Sequence, residues 1–282
     1  MRILICDLTV NHRPRIGKSA NTPWCNGNTA PFGGVIHGSN PCGVALPTSR
    51  LNISHKFRKL AQPETYRRSW RKAQRLLHPI RLRPLLAPLD QAKLQAIRDR
   101  YRDSSEHYAK YVDVERWLKL NIERVQDLQL HRLPPQSVLD LGCGGGFFLY
   151  IARKFGHECL GTDIDIFPLF DELLELFRVP RKVWMIRAFE PSPDFDRKFD
   201  LITGFSTAFN RFDLHDRSRW WGPDEWEFFL DDLMRHVNPG GQIFFGLNPN
   251  PSGIYYTPEL RDFFLRRGAF IEREKILLHK PG

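Results

Sequence analysis

The spacing of hydrophobic residues changes at Ser137 and divides the chain in two. Before Ser137, apolar residues recur at three- and four-residue steps, which is typical of amphipathic helices. They predict a helix from Pro63 until Pro79 interrupts it, and two more at 90–101 and 112–128. After Ser137, short apolar runs typical of strands alternate with helical segments. The predicted strands are 138–141, 158–162, 183–186, 199–203 and 242–247, with two more around 270–271 and 275–278. The predicted helices between them are 147–155, 223–237 and 258–267.

This alternation predicts an α/β fold in which a doubly wound, mostly parallel sheet carries helices on both faces. We expect the sheet domain to cover 133–282 and a basic helical extension to cover 56–132. Residues 11–55 are rich in Asn, Gly, Pro, Ser and Thr and show no sustained period. That composition predicts a disordered tail over 1–55, and a later translation start is a further possibility.

The chain has a formal net charge of +10, and the positive charge lies in its first half. Residues 1–137 contain 24 Lys and Arg against 10 Asp and Glu, whereas residues 138–282 contain 18 against 22. Most of the excess falls between Lys56 and Arg100. Such a block suits an anionic partner such as nucleic acid or phospholipid, but spaced charges on a solvated helix face explain it more simply.

Cysteine usage and hydropathy indicate a reduced, cytoplasmic protein. The five cysteines are an odd number without metal-ligand spacing, so we expect no metal site. A Cys25–Cys42 disulfide would require an oxidising compartment. No apolar run approaches the roughly 18 residues needed to span a bilayer, which predicts a soluble chain.

A glycine-rich turn follows the first predicted strand and carries the main functional signal. It reads Asp140-Leu141-Gly142-Cys143-Gly144-Gly145-Gly146, and Asp163 ends the second strand 23 positions after Asp140. Glycines let the backbone turn tightly and let a ligand approach closely, and the next helix presents free amide groups. A carboxylate at Asp163 is placed to accept hydrogen bonds from ribose hydroxyls. The turn therefore predicts a nucleoside-containing ligand.

The spacing of the glycines disfavours a dinucleotide. The G-x-G-x-x-G fingerprint would need glycine at Phe147 or Leu149. Instead, the segment 138–144 resembles the first motif of the class I S-adenosylmethionine-dependent methyltransferases. Three further segments resemble the same family in order, namely 161–163, 199–202 and 238–241.

This resemblance implies a seven-stranded sheet whose last strand is antiparallel, and S-adenosylmethionine as the cofactor. Asp140 and the turn 142–146 would face the methionine half of the cofactor, and Asp163 the ribose. The stretch Ala188-Phe189 would flank the adenine. The residues expected to bind the cofactor are Asp140, Gly142, Cys143, Gly144, Gly146, Asp163, Ile164, Phe189 and Phe205.

The acceptor site is expected to begin after the fourth strand, in the segment 204–211. In this topology that segment lies at the edge of the sheet where ligands bind. Asn210, His215 and Trp221 are candidate substrate-binding residues on this loop. The segment lacks the Asn/Asp-Pro-Pro-aromatic motif of amino-methylating DNA enzymes, and no Pro-Cys pair follows it. We therefore expect a small-molecule, glycan or lipid-linked acceptor, and we assign no catalytic residue because methyl transfer does not always need a base.

Aromatic residues before the sheet, Tyr108, Tyr111 and Trp117, occupy the place where many relatives in this family have a lid over the cofactor. Two alternatives to a small-acceptor enzyme remain open. The first is an RNA or protein methyltransferase recruited through the basic helices, and the second is a nucleoside-binding homologue that has lost turnover.

Overall fold

A seven-stranded sheet forms the centre of the computed structural model, which describes residues 63–206, 209–212, 220–250 and 253–282. The strands follow the order β3-β2-β1-β4-β5-β7-β6. Strands β1 to β5 pair in parallel, and β7 runs antiparallel to both β5 and β6. This confirms the predicted sheet and its antiparallel last strand. The strands are β1 Ser137–Leu141, β2 Glu158–Asp163, β3 Arg181–Val183, β4 Phe199–Phe205, β5 Val237–Gly246, β6 Phe270–Glu272 and β7 Lys275–His279.

Helices cover both faces of this sheet, as the alternation of apolar runs predicts. They are α1 Pro63–Leu77, α2 Arg83–Leu86, α3 Gln91–Tyr101, α4 Val114–Asp127, α5 Phe147–Lys154, α6 Pro168–Phe177, α7 Pro223–Arg235 and α8 Pro258–Arg266, with a 3₁₀ turn at Ala109–Val112. Side chains alternate along each strand. In β1, Val138 therefore packs with α4, α5 and α6, whereas Leu139 and Leu141 pack with α7 and α8.

Ion pairs attach the helical extension to the sheet domain. The guanidinium of Arg71 on α1 donates two hydrogen bonds to the buried carboxylate of Glu272 on β6, at 2.5 and 2.8 Å. The side chain of Asp127 on α4 accepts from both Arg75 and Lys275. The helices before the sheet are thus bonded to its far edge, and positive charge in α1 is used for packing.

The third strand is displaced from its predicted position at 183–186. Strand β3 ends at Val183, which pairs with Asp163, the last residue of β2. The next residue, Trp184, still donates its amide to the Asp163 carbonyl, but its ring turns toward Phe195 and Phe229. Packing against α7 therefore ends a strand that local hydrophobicity would continue.

The predicted turn at 238–241 lies within a strand. Helix α7 ends at Arg235, and β5 begins at Val237 with an irregular register opposite Phe199 and Leu201. Asn238 donates to the carboxylate of Asp200, which also accepts from the amide and hydroxyl of Ser137. Hydrogen bonds to Asp200 hold this segment beside β4, so it continues the sheet.

The predicted tail 1–55 lies outside the described residues. Among the helices that are described, none has the length and apolar character needed to cross a membrane.

Candidate functional site

The glycine turn between β1 and α5 needs glycine at alternate positions. Gly142, Gly144 and Gly146 have φ values of 68°, 54° and 76°, in the left-handed region that L-residues with a Cβ rarely adopt. At Gly146 a Cβ would also lie 2.7 Å from Leu174, so packing excludes it. At Gly144 a Cβ would meet only the Phe170 ring, at 3.7 Å. Gly144 therefore leaves space at the carboxyl edge of the sheet.

Asp163 ends β2 and holds the turn in place. One of its carboxylate oxygens accepts from the Gly144 amide at 2.5 Å and the other from the Ile164 amide at 2.7 Å. Burial raises the pKa of Asp163, while these two hydrogen bonds act in the opposite direction. A carboxylate has about four lone-pair positions, so Asp163 keeps the capacity to accept hydrogen bonds from ligand hydroxyls.

Asp140 lies at the other end of the turn and is almost completely buried. Its carboxylate accepts a 2.7 Å hydrogen bond from the hydroxyl of Thr203 on β4. Burial raises the pKa of Asp140 to about 7, although Thr203 and the positive charge of Arg124 favour the ionised form. Asp140 thus changes charge near neutral pH, at the base of the site.

Arg124 on α4 places a half-buried positive charge above β4. Its guanidinium lies 4.6 Å from the centroid of the Phe205 ring and donates to Ser206 Oγ at 3.0 Å and Asn121 Oδ1 at 3.1 Å. Both acceptors are neutral, and no carboxylate among the described residues pairs with it within 4.0 Å. Burial lowers the pKa of Arg124, with Asp140 and Tyr111 acting against that change. Arg124 can therefore form an ion pair with an anionic ligand. It lies at the edge of the sheet where ligands bind in folds of this topology.

Sequence analysis did not single out Arg124 or Ser206. The available signal for Arg124 was its position in α4 beside Asn121, within the buried face formed by Leu118, Ile122 and Val125. Ser206 has a left-handed backbone, with φ of 54°, which is uncommon for a residue other than glycine. The sequence does not reveal this backbone conformation. It ends β4 and places Ser206 Oγ where it accepts a hydrogen bond from Arg124.

An aromatic cluster forms one wall beside the glycine turn. Tyr111 stacks on Trp117 with ring centroids 4.2 Å apart, and its ring is 5.1 Å from Phe170 in an edge-to-face arrangement. Tyr108 contacts Phe167 at 5.2 Å. Burial raises the pKa of Tyr111, and the charges of Arg124 and Asp163 also act on it. The predicted lid residues therefore lie beside the turn, against the first residues of α6.

The remaining residues expected at the cofactor site have different surroundings. Cys143 is buried and donates its amide to the Thr162 carbonyl, whereas Ile164 is half-buried. Phe205 packs against Phe148 beneath Arg124. Phe189 is 52% exposed and contacts Phe228 on α7. Contact of each with a cofactor stays a prediction.

Two of the three candidate substrate residues, Asn210 and Trp221, are described by the structure, and both are buried. Each is 3% exposed, and the Asn210 carbonyl accepts from the Trp221 amide at 3.0 Å. The Trp221 ring packs on Phe209 and Phe229, and its indole nitrogen has no hydrogen-bond partner among the described residues. His215 lies outside the described residues. The loop thus begins over a closed aromatic core, and a substrate role for these residues stays a prediction.

Comparisons with known proteins find distant likenesses among solved structures and no family match. Neither a scan of protein-family models nor a search of curated proteins finds a match. Among solved structures, a methyltransferase from Pyrococcus furiosus is 16% identical, with 68% of this chain and 98% of that chain covered and a TM-score of 0.42. A ribosomal protein L11 methylase from Lactobacillus delbrueckii subsp. bulgaricus is 20% identical, with 59% and 77% covered and a TM-score of 0.37.

A third similar structure is an amino pentose methyltransferase from Micromonospora echinaspora with S-adenosylmethionine bound. It is 19% identical, with 57% of this chain and 58% of that chain covered and a TM-score of 0.35. Likenesses this distant concern the fold alone and carry no information on the substrate of this chain.

Proposed function

We propose that this chain, which has the Rossmann-like fold of class I methyltransferases, is an S-adenosylmethionine-dependent methyltransferase. The observation that supports this most directly is the grouping of three features at one edge of the sheet. These are the left-handed glycine turn, the carboxylate of Asp163 and the half-buried guanidinium of Arg124, which has no ion pair within the described part of the chain.

The groups at this edge match the chemistry of the proposed cofactor. Asp163 would accept hydrogen bonds from the ribose hydroxyls, and the turn around Gly144 would let the ligand approach the backbone. Arg124 would bind the carboxylate of the methionine half, because a charge-assisted pair would compensate its burial. Tyr111 and Trp117 would cover the ligand and keep water out.

The bound cofactor would supply a methyl group on a sulfonium centre, ready for in-line displacement by a lone pair of the acceptor. The chain's own contribution would be orientation and the exclusion of water, which raise the rate without a catalytic base. Arg124 and Asp163 would fix the two ends of the ligand, and Phe205 would support the guanidinium from below. A base is needed only if the acceptor must lose a proton before it attacks.

For the acceptor we propose a small-molecule, glycan or lipid-linked compound that enters over the loop after β4. The pairing of basic residues in the extension supports this choice over RNA. Several cations of the extension form ion pairs with carboxylates of the same chain, which reduces the charge available to a long polyanion such as RNA. These pairs include Arg71–Glu272, Arg75–Asp127, Lys93–Glu175, Arg98–Glu115 and Arg100–Glu172.

Calorimetric titration of S-adenosylmethionine and S-adenosylhomocysteine tests the cofactor. We expect micromolar binding to the wild type and a loss of at least about tenfold in Asp163→Asn, as for one charge-assisted hydrogen bond. Asp165→Asn, two positions away on the exposed side, is the matched control. Absence of heat from both ligands with folded protein would refute the proposal.

A labelled methyl donor then distinguishes the three classes of function. Product with small, glycan or lipid-linked acceptors supports the proposed class, and product with RNA or protein supports the recruited alternative. Cofactor binding without product from any of these would indicate a homologue that has lost turnover.

A further inference from the structure

A cavity lies away from the glycine turn, at the opposite end of α5. Its volume is about 580 Å³, within the range of about 300–1,000 Å³ typical of small-molecule sites. Helix α5 begins at Phe147, directly after the turn, and ends at Lys154, which lines the cavity. The cavity is therefore separate from the site proposed for the cofactor.

Five basic or imidazole side chains line this cavity, and no lining residue is acidic. They are His78, Arg81, His131, Arg132 and Lys154. Among the described residues, no carboxylate forms an ion pair with any of them. Arg132 donates to the neutral amide oxygen of Gln74, and the Lys154 ammonium lies 5.1 Å from the Tyr150 ring. Positive charge is thus concentrated here without compensation, unlike in the neighbouring α1, where Arg75 contacts two carboxylates.

His131 lies among these positively charged side chains. Neither of its two buried ring nitrogens has a hydrogen-bond partner in the described part of the chain, and its ring is 6.3 Å from that of His78. Burial lowers the pKa of His131, and the charges of His78 and Arg132 lower it further. An anion in the cavity would act in the opposite direction and favour the protonated imidazole.

The rest of the lining is apolar. Ile80, Leu85 and Phe155 contribute hydrocarbon surface, and Leu85 is held because its carbonyl accepts from the Tyr150 hydroxyl at 2.5 Å. A cavity with cations on one part and apolar groups on another fits an organic anion better than a bare inorganic ion. Several cations favour a phosphate monoester, with a charge of about −1.5 to −2 at neutral pH, over a single carboxylate.

We propose that this cavity binds a small organic phosphate, with the phosphoryl group contacting Arg81, Arg132 and Lys154 and the organic part lying on Phe155. The phosphate could belong to a soluble compound or to a lipid headgroup, because both present the same group. This inference does not depend on the proposed methyltransferase activity.

Phenyl phosphate is a suitable probe, titrated calorimetrically into the full chain without S-adenosylmethionine. We expect saturable binding that is tighter than for inorganic phosphate and for benzoate. Arg81→Gln and Lys154→Gln should each weaken it by about tenfold, the loss expected for one charge-assisted hydrogen bond. Lys119→Gln, an exposed lysine on α4 outside the cavity, should leave it unchanged. Titration of the histidine ring signals by NMR should show the pKa of His131 rising when phenyl phosphate binds.

Sedimentation with vesicles that contain phosphatidic acid identifies the source of the phosphate. Vesicle binding that Arg81→Gln and Lys154→Gln lose would indicate a lipid headgroup, whereas binding of phenyl phosphate alone would indicate a soluble compound. The proposal is wrong if neither probe binds, or if Lys119→Gln reduces binding as much as the two cavity variants. Binding of an RNA oligonucleotide in place of both probes would also overturn it. Thermal unfolding of each variant establishes that the folded protein is being compared.

Discussion

Arg124 and Phe205 connect the helical extension to the carboxyl edge of the parallel strands, with the guanidinium 4.6 Å from the ring centroid. The ring supports the charged group from below, and Ser206, the residue directly after β4, accepts a hydrogen bond from it. Because this half-buried cation has no carboxylate partner among the described residues, we expect it to pair with a ligand anion.

Replacement of Arg124 with methionine should separate binding from stability. We expect the dissociation constant for S-adenosylhomocysteine to rise about 10- to 100-fold, because a charge-assisted contact is lost. The free energy of unfolding should change by only about 1 kcal/mol, because removal of a half-buried charge without an ion pair in the described residues offsets the lost packing. Calorimetry and urea unfolding measure the two effects. Arg116→Met, on the exposed side of the same helix, is the control and should change neither. Unchanged affinity in Arg124→Met would exclude contact between this residue and the ligand.

Gly144→Ala should weaken cofactor binding beyond its effect on stability. Both Gly144 and Gly240 have left-handed backbones, so alanine at either should cost about 1–2 kcal/mol of unfolding free energy. A Cβ at Gly240 meets nothing within 4 Å, whereas one at Gly144 enters the turn beside Phe170. We therefore expect similar destabilisation in urea, but reduced affinity for S-adenosylhomocysteine only in Gly144→Ala. Equal affinities in the two variants would show that the ligand does not approach Gly144.

The fold and the turn were predictable because their signals are local. Gly142, Gly144 and Gly146 follow one another within five positions, and Asp163 ends the strand directly after the helix they precede. Contacts between distant segments were not predictable. Arg124 and Ser206 are 82 positions apart and meet only when α4 packs over β4.

Tertiary packing also changed the surroundings of residues that a local pattern placed on a loop. Trp221 follows a polar segment, and its position after β4 predicted a substrate-binding residue on a loop. Its ring lies among Phe209, Trp226 and Phe229, two of which α7 supplies, and this burial was not predictable from the sequence. The end of β3 at Val183 has the same kind of cause, since the ring of Trp184 packs toward α7.

Stability should fall between about pH 4 and pH 7 because of Asp140. Its pKa is raised from 3.8 to about 7 by burial, so the folded protein holds a proton there that the unfolded chain has released. The stabilisation from this proton is complete below the pKa that Asp140 has in the unfolded chain. It is lost as the pH rises through the pKa of Asp140 in the folded protein, by at most about 4 kcal/mol. Asp140→Asn retains an acceptor for Thr203 and should flatten this part of the curve when urea unfolding is measured at each pH.

Asp200→Asn is a control at a carboxyl group whose pKa is shifted in the opposite direction. Burial acts to raise the pKa of Asp200, but hydrogen bonds from Ser137 and Asn238 outweigh it and lower the pKa. The contribution of Asp200 to stability is therefore present above its pKa in the unfolded chain and is lost as the pH falls through its pKa in the folded protein. Asp200→Asn should therefore leave the fall in unfolding free energy between pH 4 and pH 7 intact. A wild-type curve that matches Asp140→Asn over this range would show that Asp140 is ionised throughout.

Tyr111 provides the test of the aromatic wall. Tyr111→Ala removes the ring that stacks on Trp117 and contacts Phe170, which should open the site to water and lower both cofactor affinity and turnover. Tyr111→Phe keeps the ring and should behave like the wild type, because stacking does not require the hydroxyl. Calorimetry with S-adenosylhomocysteine and quenching of Trp117 fluorescence by acrylamide measure affinity and water access separately. If Tyr111→Ala increases quenching but leaves affinity unchanged, the ring shields the aromatic cluster without covering the ligand. If both stay at wild-type values, Tyr111 has no lid role.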